Sequence, residues 1–157
     1  MSTVGVSLGH RELAAADHWI RALDPAPSLA CTHLVREPFP HVAISLRTAG
    51  DFPTAPELKV AADAAATGPA GRAVIFPGAD QLIGKLTVDE VLAVSAIDRV
   101  EVLGSGPADG SATLDTRDFV RPQFRAGVLV LVTMPAVGGV LVPFETRDPT
   151  PCCADHG

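Results

Sequence analysis

The longest apolar stretch of the chain, GVLVLVTMPAVGGVLV at residues 127–142, restricts the folds that the chain can adopt. A transmembrane helix needs about 20 consecutive apolar residues, whereas this stretch is shorter and is interrupted by Pro135, Gly138 and Gly139. Its two halves are rich in Val and Leu, and the five residues between them, PAVGG, are typical of a hairpin connection. The sequence therefore predicts a C-terminal β-hairpin with strands at 127–134 and 139–145.

The first half of the chain alternates between helical and strand patterns. Apolar residues recur at helical spacing over 10–23, and short apolar runs bounded by turn residues predict strands at 29–35 and 41–48. A second helix is predicted over 54–68, where Thr54 and Glu57 have the spacing of a capping box and Gly68 follows the last turn. Its buried face would consist of small or aliphatic residues, namely Leu58, Ala62 and Ala65.

The second half contains more strands than helices. Residues 72–78 predict a central strand, and Thr87 with Glu90 forms a second capping box at the start of a helix over 87–98. Strands are predicted at 99–104 and 111–119 around the turn GSGPADG, while Pro122 places the segment 119–124 at a sheet edge or a bulge. The predicted fold is α+β: a single domain over 1–148 with a mixed, mostly antiparallel sheet, about three helices and C-terminal hairpins.

Composition excludes several classes of protein. A chain of 157 residues with 47% hydrophobic and 19% charged residues predicts one folded core. Its formal net charge of −6, without a basic block, argues against nucleic-acid binding, and no signal-like leader is recognisable at the N-terminus. We therefore expect a cytoplasmic protein without a membrane partner, whose three cysteines are reduced. Arg greatly outnumbers Lys, a bias typical of high-GC bacterial genomes.

Most familiar catalytic patterns are absent or lack their structural context. The G-x-G after residues 99–102 is followed by strand character rather than by the helix that a phosphate loop requires, so we predict a hairpin loop there. No G-x-S-x-G nucleophile elbow occurs. The carboxylates of Asp115 and Asp118 are predicted to lie at the surface, and His10, Asp17 and His18 are predicted to form a solvated polar face of the first helix.

Soft metal ligands are concentrated in two short segments. Cys31 and His33 stand two positions apart in a predicted strand and therefore project from the same face. The tail at 149–157 supplies Cys152, Cys153 and His156. Thiolate and imidazole ligands suit zinc, and four of them complete a tetrahedral site. The first functional hypothesis is therefore a zinc-type metal-binding protein in which the tail folds back onto the Cys31 strand.

Two alternatives remain open at the level of the sequence. One is a metal-free accessory or interaction protein that forms homodimers through sheet edges, or a larger homo-oligomer. The other is a small enzyme with a pocket of scattered polar residues, and its candidates are His41, Arg47, Asp115 and Arg117.

Overall fold

The computed structural model describes residues 2–48, 52, 54–67 and 71–146. These residues form three α-helices, two short 3-10 helices (Pro56–Leu58 and Ala79–Gln81) and one sheet of eleven strands. In chain order the elements are β1 Ser2–His10, α1 Leu13–Arg21, β2 Leu29–Val35, β3 His41–Thr48, α2 Lys59–Thr67, β4 Gly71–Ile75, β5 Lys85–Thr87, α3 Val88–Val94, β6 Arg99–Val102, β7 Gly106–Pro107, β8 Thr113–Asp115, β9 Gln123–Arg125, β10 Val128–Ala136 and β11 Val140–Pro143. The tail at 149–157 lies outside the described residues.

The prediction of an α+β fold with a mostly antiparallel sheet is confirmed, although the sheet is larger than expected. Its main path runs β1-β3-β2-β4-β9-β10-β11-β8-β5. Among the described residues, the parallel pairings are β6 with β10 and β8 with β11. No described helix combines the length and the hydropathy needed to cross a membrane.

Helices α1 and α2 cover opposite faces of the N-terminal strands, as the two-residue period of β3 requires. Ile44 and its even-numbered neighbours in β3 pack with Ala16 and Ile20 of α1. Ala43 lies on the other face and packs with Ala61 and Ala65 of α2. The buried face of α2 contains Leu58 of the adjoining 3-10 helix, Ala62 and Ala65, as predicted from the sequence.

Strand β1 was not predicted, and it displaces the start of the first helix. The structure places 2–10 in a strand that pairs with β3, so that α1 begins at Leu13 and ends at Arg21 rather than spanning 10–23. In β1, Val4 and Val6 belong to the cluster beneath α1, while Gly5 faces α2. Because only one face of β1 is aliphatic and the other carries Gly and Ser, the pattern has too few apolar residues to be recognised as a strand.

The two predicted capping boxes have different outcomes. At α3 both reciprocal bonds form, from Glu90 N to Thr87 Oγ1 and from Thr87 N to Glu90 Oε1. The prediction at Thr54 is wrong, since the 3-10 helix starts after Ala55 without a side-chain cap. Thr54 Oγ1 instead accepts a hydrogen bond from Ser7 N at 3.1 Å. Its hydroxyl therefore ties the segment before α2 to β1.

The C-terminal half is organised around β10. The partner strands β6 and β9 both pair with Val130, and β6 and β11 both pair with Thr133. Since one residue can pair on only two sides, β9 and β11 share one edge of β10 end to end, and β6 occupies the other edge. The predicted hairpin of β10 and β11 is confirmed, with β10 extending through Pro135 to Ala136.

Pro122 was predicted to place its segment at a sheet edge or a bulge, and the sheet edge is wrong. Strand β9 starts one residue later and lies between β4 and β10, pairing with both. The ring nitrogen of Pro122 cannot donate, but its carbonyl oxygen accepts from Ala73 N at 2.8 Å. Pro122 thus contributes to the junction between β4 and β9 through its acceptor alone.

Gly5 generates a prediction about the packing of α2 on the sheet. A Cβ atom at this position would overlap the carbonyl oxygen of Ala62, which is backbone and cannot move aside as a side chain would. We expect Gly5→Ala to lower the free energy of unfolding by about 3 kcal/mol, as measured by urea denaturation.

The matched control is Gly127→Ala, in the turn before β10. A Cβ atom there meets open space, and only the positive φ of +83° is unfavourable. Its expected cost is about 1 kcal/mol. Equal losses in the two variants would contradict a close approach of α2 to β1.

Candidate functional site

The site begins with Asp17, which lies one turn before Arg21 on α1. Sequence reasoning placed it on a solvated polar face, and this is wrong for Asp17: only 15% of its side chain is exposed. Ala16 and Ile20 form the fully buried face of α1. Asp17 is adjacent to this face and therefore lies at the edge of the interface between α1 and the sheet. His18 is exposed as expected, whereas His10 belongs to β1.

Arg72 extends from β4 towards α1 and links two carboxylates. Its Nε donates to both carboxylate oxygens of Glu145, at 2.7 and 2.8 Å. Its Nη1 lies 3.4 Å from Asp17 Oδ1, and 13% of the side chain is exposed. Arg72 has the same parity along β4 as Val74, which packs beneath α1, so the two side chains leave the strand on one face.

Arg121 is the most buried charged side chain of the site, with 5% exposed. Its Nη2 lies 3.4 Å from Asp17 Oδ2, and its Nη1 donates to the carbonyl oxygen of Val120 at 3.2 Å. The guanidinium carbon lies 4.3 Å from the centre of the Phe119 ring. The Nε atom is buried and has no hydrogen-bond partner among the described residues.

The electrostatic environment of Arg121 is unusual. Burial, the largest effect, and the neighbouring positive charges of Arg21 and Arg72 together lower the pKa of Arg121 to about 10, while Asp17 acts in the opposite direction. Arg21 is exposed and forms no salt bridge with any described residue. The arginine cluster, defined as Asp17, Arg21, Arg72, Arg121 and Glu145, thus combines three guanidinium groups with two carboxylates. Its formal charge is +1 in a protein with a net charge of −6.

Two of the cavities that border this cluster share three of their lining residues. The first, which we call the arginine pocket, has a volume of ≈ 690 Å³. The second, the apolar cleft, has a volume of ≈ 450 Å³. Arg21, Phe119 and Arg121 line both cavities. The arginine pocket is otherwise lined by Leu13, Ala14, Asp17, His18, Arg72, Glu145 and Thr146, and the apolar cleft by Val74, Ile75, Phe76, Ala79, Asp80, Leu82, Ile83, Asp118 and Val120.

The two predicted metal ligands within the described residues lie together on β2. A Cβ atom at Gly71 would contact both Cys31 and His33, so these side chains leave the strand on the same face. His33 Nε2 lies 2.8 Å from Ser45 Oγ, within hydrogen-bonding distance. Burial raises the pKa of the Cys31 thiol to about 11, against smaller lowering effects of Ser45 and Arg47, and burial lowers the pKa of His33.

The remaining predicted ligands, Cys152, Cys153 and His156, lie outside the described residues. Within the described part of the chain, no group of three His, Cys, Asp or Glu residues is placed to hold a metal ion. The zinc hypothesis therefore stays a prediction that depends on ligands from the tail.

The polar residues proposed for an enzyme pocket are distributed along the sheet. His41 and Arg47 belong to β3 and Asp115 to β8, and the strand order places five strands between β3 and β8. Asp115 Oδ1 accepts from Arg117 N at 3.1 Å within a turn. His41 Nδ1 lies 2.8 Å from the carbonyl oxygen of Phe39. These contacts are local, and they do not connect His41 and Arg47 with Asp115 and Arg117.

The loop after β6 is a hairpin, but its second strand is β7 within the predicted turn, whereas the strand predicted at 111–119 is the shorter β8, which pairs with β5 and β11. Strands β6 and β7 pair antiparallel, and Gly110 lies farther along, where its carbonyl oxygen accepts from Asp89 N at the start of α3. The carboxylate of Asp118, which was predicted to lie at the surface, has a structural role. Asp118 is exposed, and its Oδ1 accepts from Gly84 N at 3.0 Å.

Asp17 generates a prediction about stability. Replacing it with Asn removes the carboxylate charge between Arg72 and Arg121 while the shape of the side chain is kept. Because a buried charge that loses its counter-charge is strongly unfavourable, we expect Asp17→Asn to lower the free energy of unfolding by about 3 kcal/mol.

The control for this measurement is Asp63→Asn on α2. Asp63 is 66% exposed and pairs with Lys59 at 3.3 Å, so its loss should change the free energy of unfolding by less than about 0.5 kcal/mol. Urea denaturation at pH 7 distinguishes the two variants. Similar small changes in both would show that Asp17 does not balance the buried arginines.

Metal analysis tests the zinc hypothesis. Since Cys31 and His33 supply at most half of a tetrahedral site, the hypothesis predicts near-stoichiometric zinc that disappears in the Cys152→Ser/Cys153→Ser double variant. The protein is purified without a histidine tag, at neutral pH and under reducing conditions. Metal-free wild-type protein would contradict the hypothesis.

Comparison with known proteins assigns the chain to no family. No protein-family model matches it, and no curated protein and no solved structure matches it at a significant level. The geometry of the arginine cluster therefore carries the functional argument.

Proposed function

We propose that the protein binds a small organic anion in the arginine pocket. The observation that carries this proposal is the buried guanidinium group of Arg121, which lines the pocket, contributes to an excess of positive charge and keeps one donor without a partner. The ligand chemistry is that of an oxyanion, either a carboxylate or a phosphate, because planar guanidinium groups recognise both.

The hydrogen bonds of the cluster support a binding role over a purely structural one. A buried donor without an acceptor costs about 1–3 kcal/mol and calls for an explanation such as a bound ion. A cluster that served only to join α1 to the sheet would gain most from balanced charge. Here the carboxylates of Asp17 and Glu145 pair with Arg72 and Arg121, and Arg21 adds a third positive charge that has no ionic partner in the described chain.

The pH dependence follows from the cause of the Arg121 shift. With its pKa lowered to about 10 by burial, Arg121 is cationic at pH 7 and loses its charge as the pH rises through that value. Anion affinity should therefore be nearly constant between pH 7 and 8.5 and should fall above pH 10.

Thermal denaturation and calorimetry in matched salts provide the test. Sodium phosphate and sodium acetate should raise the melting temperature above its value in sodium chloride of the same ionic strength, because a ligand that binds only the folded state stabilises it. Arg21→Gln should weaken the binding by about three- to tenfold, as expected for the loss of one charge-assisted contact. Arg121→Met, which keeps most of the buried volume, should abolish it.

The matched control is Arg99→Gln on β6, which removes the same charge from an exposed arginine that lines neither cavity. It should leave the anion affinity unchanged. If phosphate, acetate and chloride have the same effect on the wild-type protein, or if Arg21→Gln and Arg99→Gln behave alike, the pocket is not an anion site.

Three further proposals from the sequence remain compatible with this function. Zinc binding by Cys31, His33 and the tail would take place on the face of β2 that points away from α1, and so away from the arginine pocket. Homodimers could form through β1 or β5, the two ends of the main strand path. Cytoplasmic residence would keep the buried, free Cys31 reduced.

A further inference from the structure

We propose that the anion is amphipathic: a monocarboxylate whose head lies at Arg21 and Arg121 and whose apolar body occupies the apolar cleft. This inference rests on the proposed anion-binding function and names the substrate class of the same site. Its starting point is that Arg21, Phe119 and Arg121 line both cavities. A molecule held at these residues therefore lies at the border of both cavities.

The cleft has the size and lining of a site for the apolar part of a small molecule. Its volume of ≈ 450 Å³ is within the range of about 300–1,000 Å³ that is typical of ligand pockets. Aliphatic and aromatic side chains, including Val74, Phe76, Leu82 and Ile83, form its walls. The two carboxylates of the cleft, Asp80 and Asp118, are exposed, and they disfavour a second anionic group at that end of the ligand.

Ile83 offers exposed apolar surface to a ligand in the cleft. It is 64% exposed, although it stands beside the buried Leu82, and it lines the cleft directly. Removing such a side chain from water is favourable by about 25 cal/mol per Å² of apolar area. A bound apolar body would gain this contribution from Ile83 and from the walls of the cleft.

The charge of the cluster favours a monoanion. Three guanidinium groups and two carboxylates leave a formal excess of one positive charge, which one carboxylate neutralises. A phosphate monoester carries a charge of about −1.5 to −2 at pH 7. Its additional charge would face Asp17 and Glu145 without a further cation, and like charges in a partly buried site repel strongly.

A series of four small probes tests the inference by isothermal titration calorimetry at pH 7. Acetate presents the head alone, 1-hexanol presents the body alone, hexanoate combines the two, and hexyl phosphate replaces the head by a dianion. We expect hexanoate to bind at least tenfold more tightly than acetate and than hexyl phosphate, and 1-hexanol to show no binding at the same concentrations.

Variants locate the body in the cleft. Ile83→Ser should weaken hexanoate binding about fivefold and leave acetate binding unchanged, because it shortens only the apolar contact. The control Val60→Ser replaces an exposed apolar residue of α2, 82% exposed, that lines neither cavity, and it should change neither affinity. Both residues are exposed enough for the protein to fold normally.

The outcomes separate this inference from the function on which it rests. If acetate binds in an Arg21-dependent manner but hexanoate binds no more tightly, or is unaffected by Ile83→Ser, the inference is wrong and the anion site stands. If hexyl phosphate binds as tightly as hexanoate, the preference for a monoanion is wrong. If none of the anions binds, both proposals are overturned.

Discussion

The carboxylate of Asp17 is the contact on which the arrangement of the site depends. One of its oxygens faces Arg72 and the other faces Arg121, so a single side chain connects α1 with β4 and with the segment that enters β9. Arg72 then extends the connection to Glu145, just after β11. The hydrogen bonds join residues 55, 73 and 104 positions apart in the chain. Backbone pairing aligns β4 with β9, and Asp17 adds a link from α1 to both segments.

The position of this contact follows from the way the two main hydrophobic clusters meet. Along β4, Val74 belongs to the cluster beneath α1, whereas Ala73 belongs to the larger cluster that extends over the C-terminal strands. Strand β4 is therefore the boundary between two packed regions. Charged side chains at such a boundary can be mostly buried and still reach a cavity, which neither core would permit in its interior.

Local patterns predicted the elements and failed at contacts between distant segments. Strands β2 and β3 were predicted with their observed limits because apolar runs bounded by turns identify buried strands. The capping box at Thr87 was found because both of its bonds join residues three positions apart. Asp17, Arg72, Arg121 and Glu145 were not identified as a site, since nothing in their immediate surroundings connects them. The available signal was the isolated arginine within each of two apolar segments, RAVIF and FVRPQF. Cys31 and His33 carried the stronger local signal, because residues two positions apart in a strand share a face.

The carboxylate of Glu145 competes with any external anion for the guanidinium group of Arg72. Its carboxylate already makes a two-oxygen contact with Arg72, and it is tethered to the end of β11. A tethered group acts at an effective concentration in the millimolar range, so a free anion present at micromolar levels would not displace it by mass action alone. Arg72 is thereby withheld from solutes. On the proposed function, a free anion would be held by Arg21 and Arg121, because the bidentate position on Arg72 is filled by a residue of the same chain.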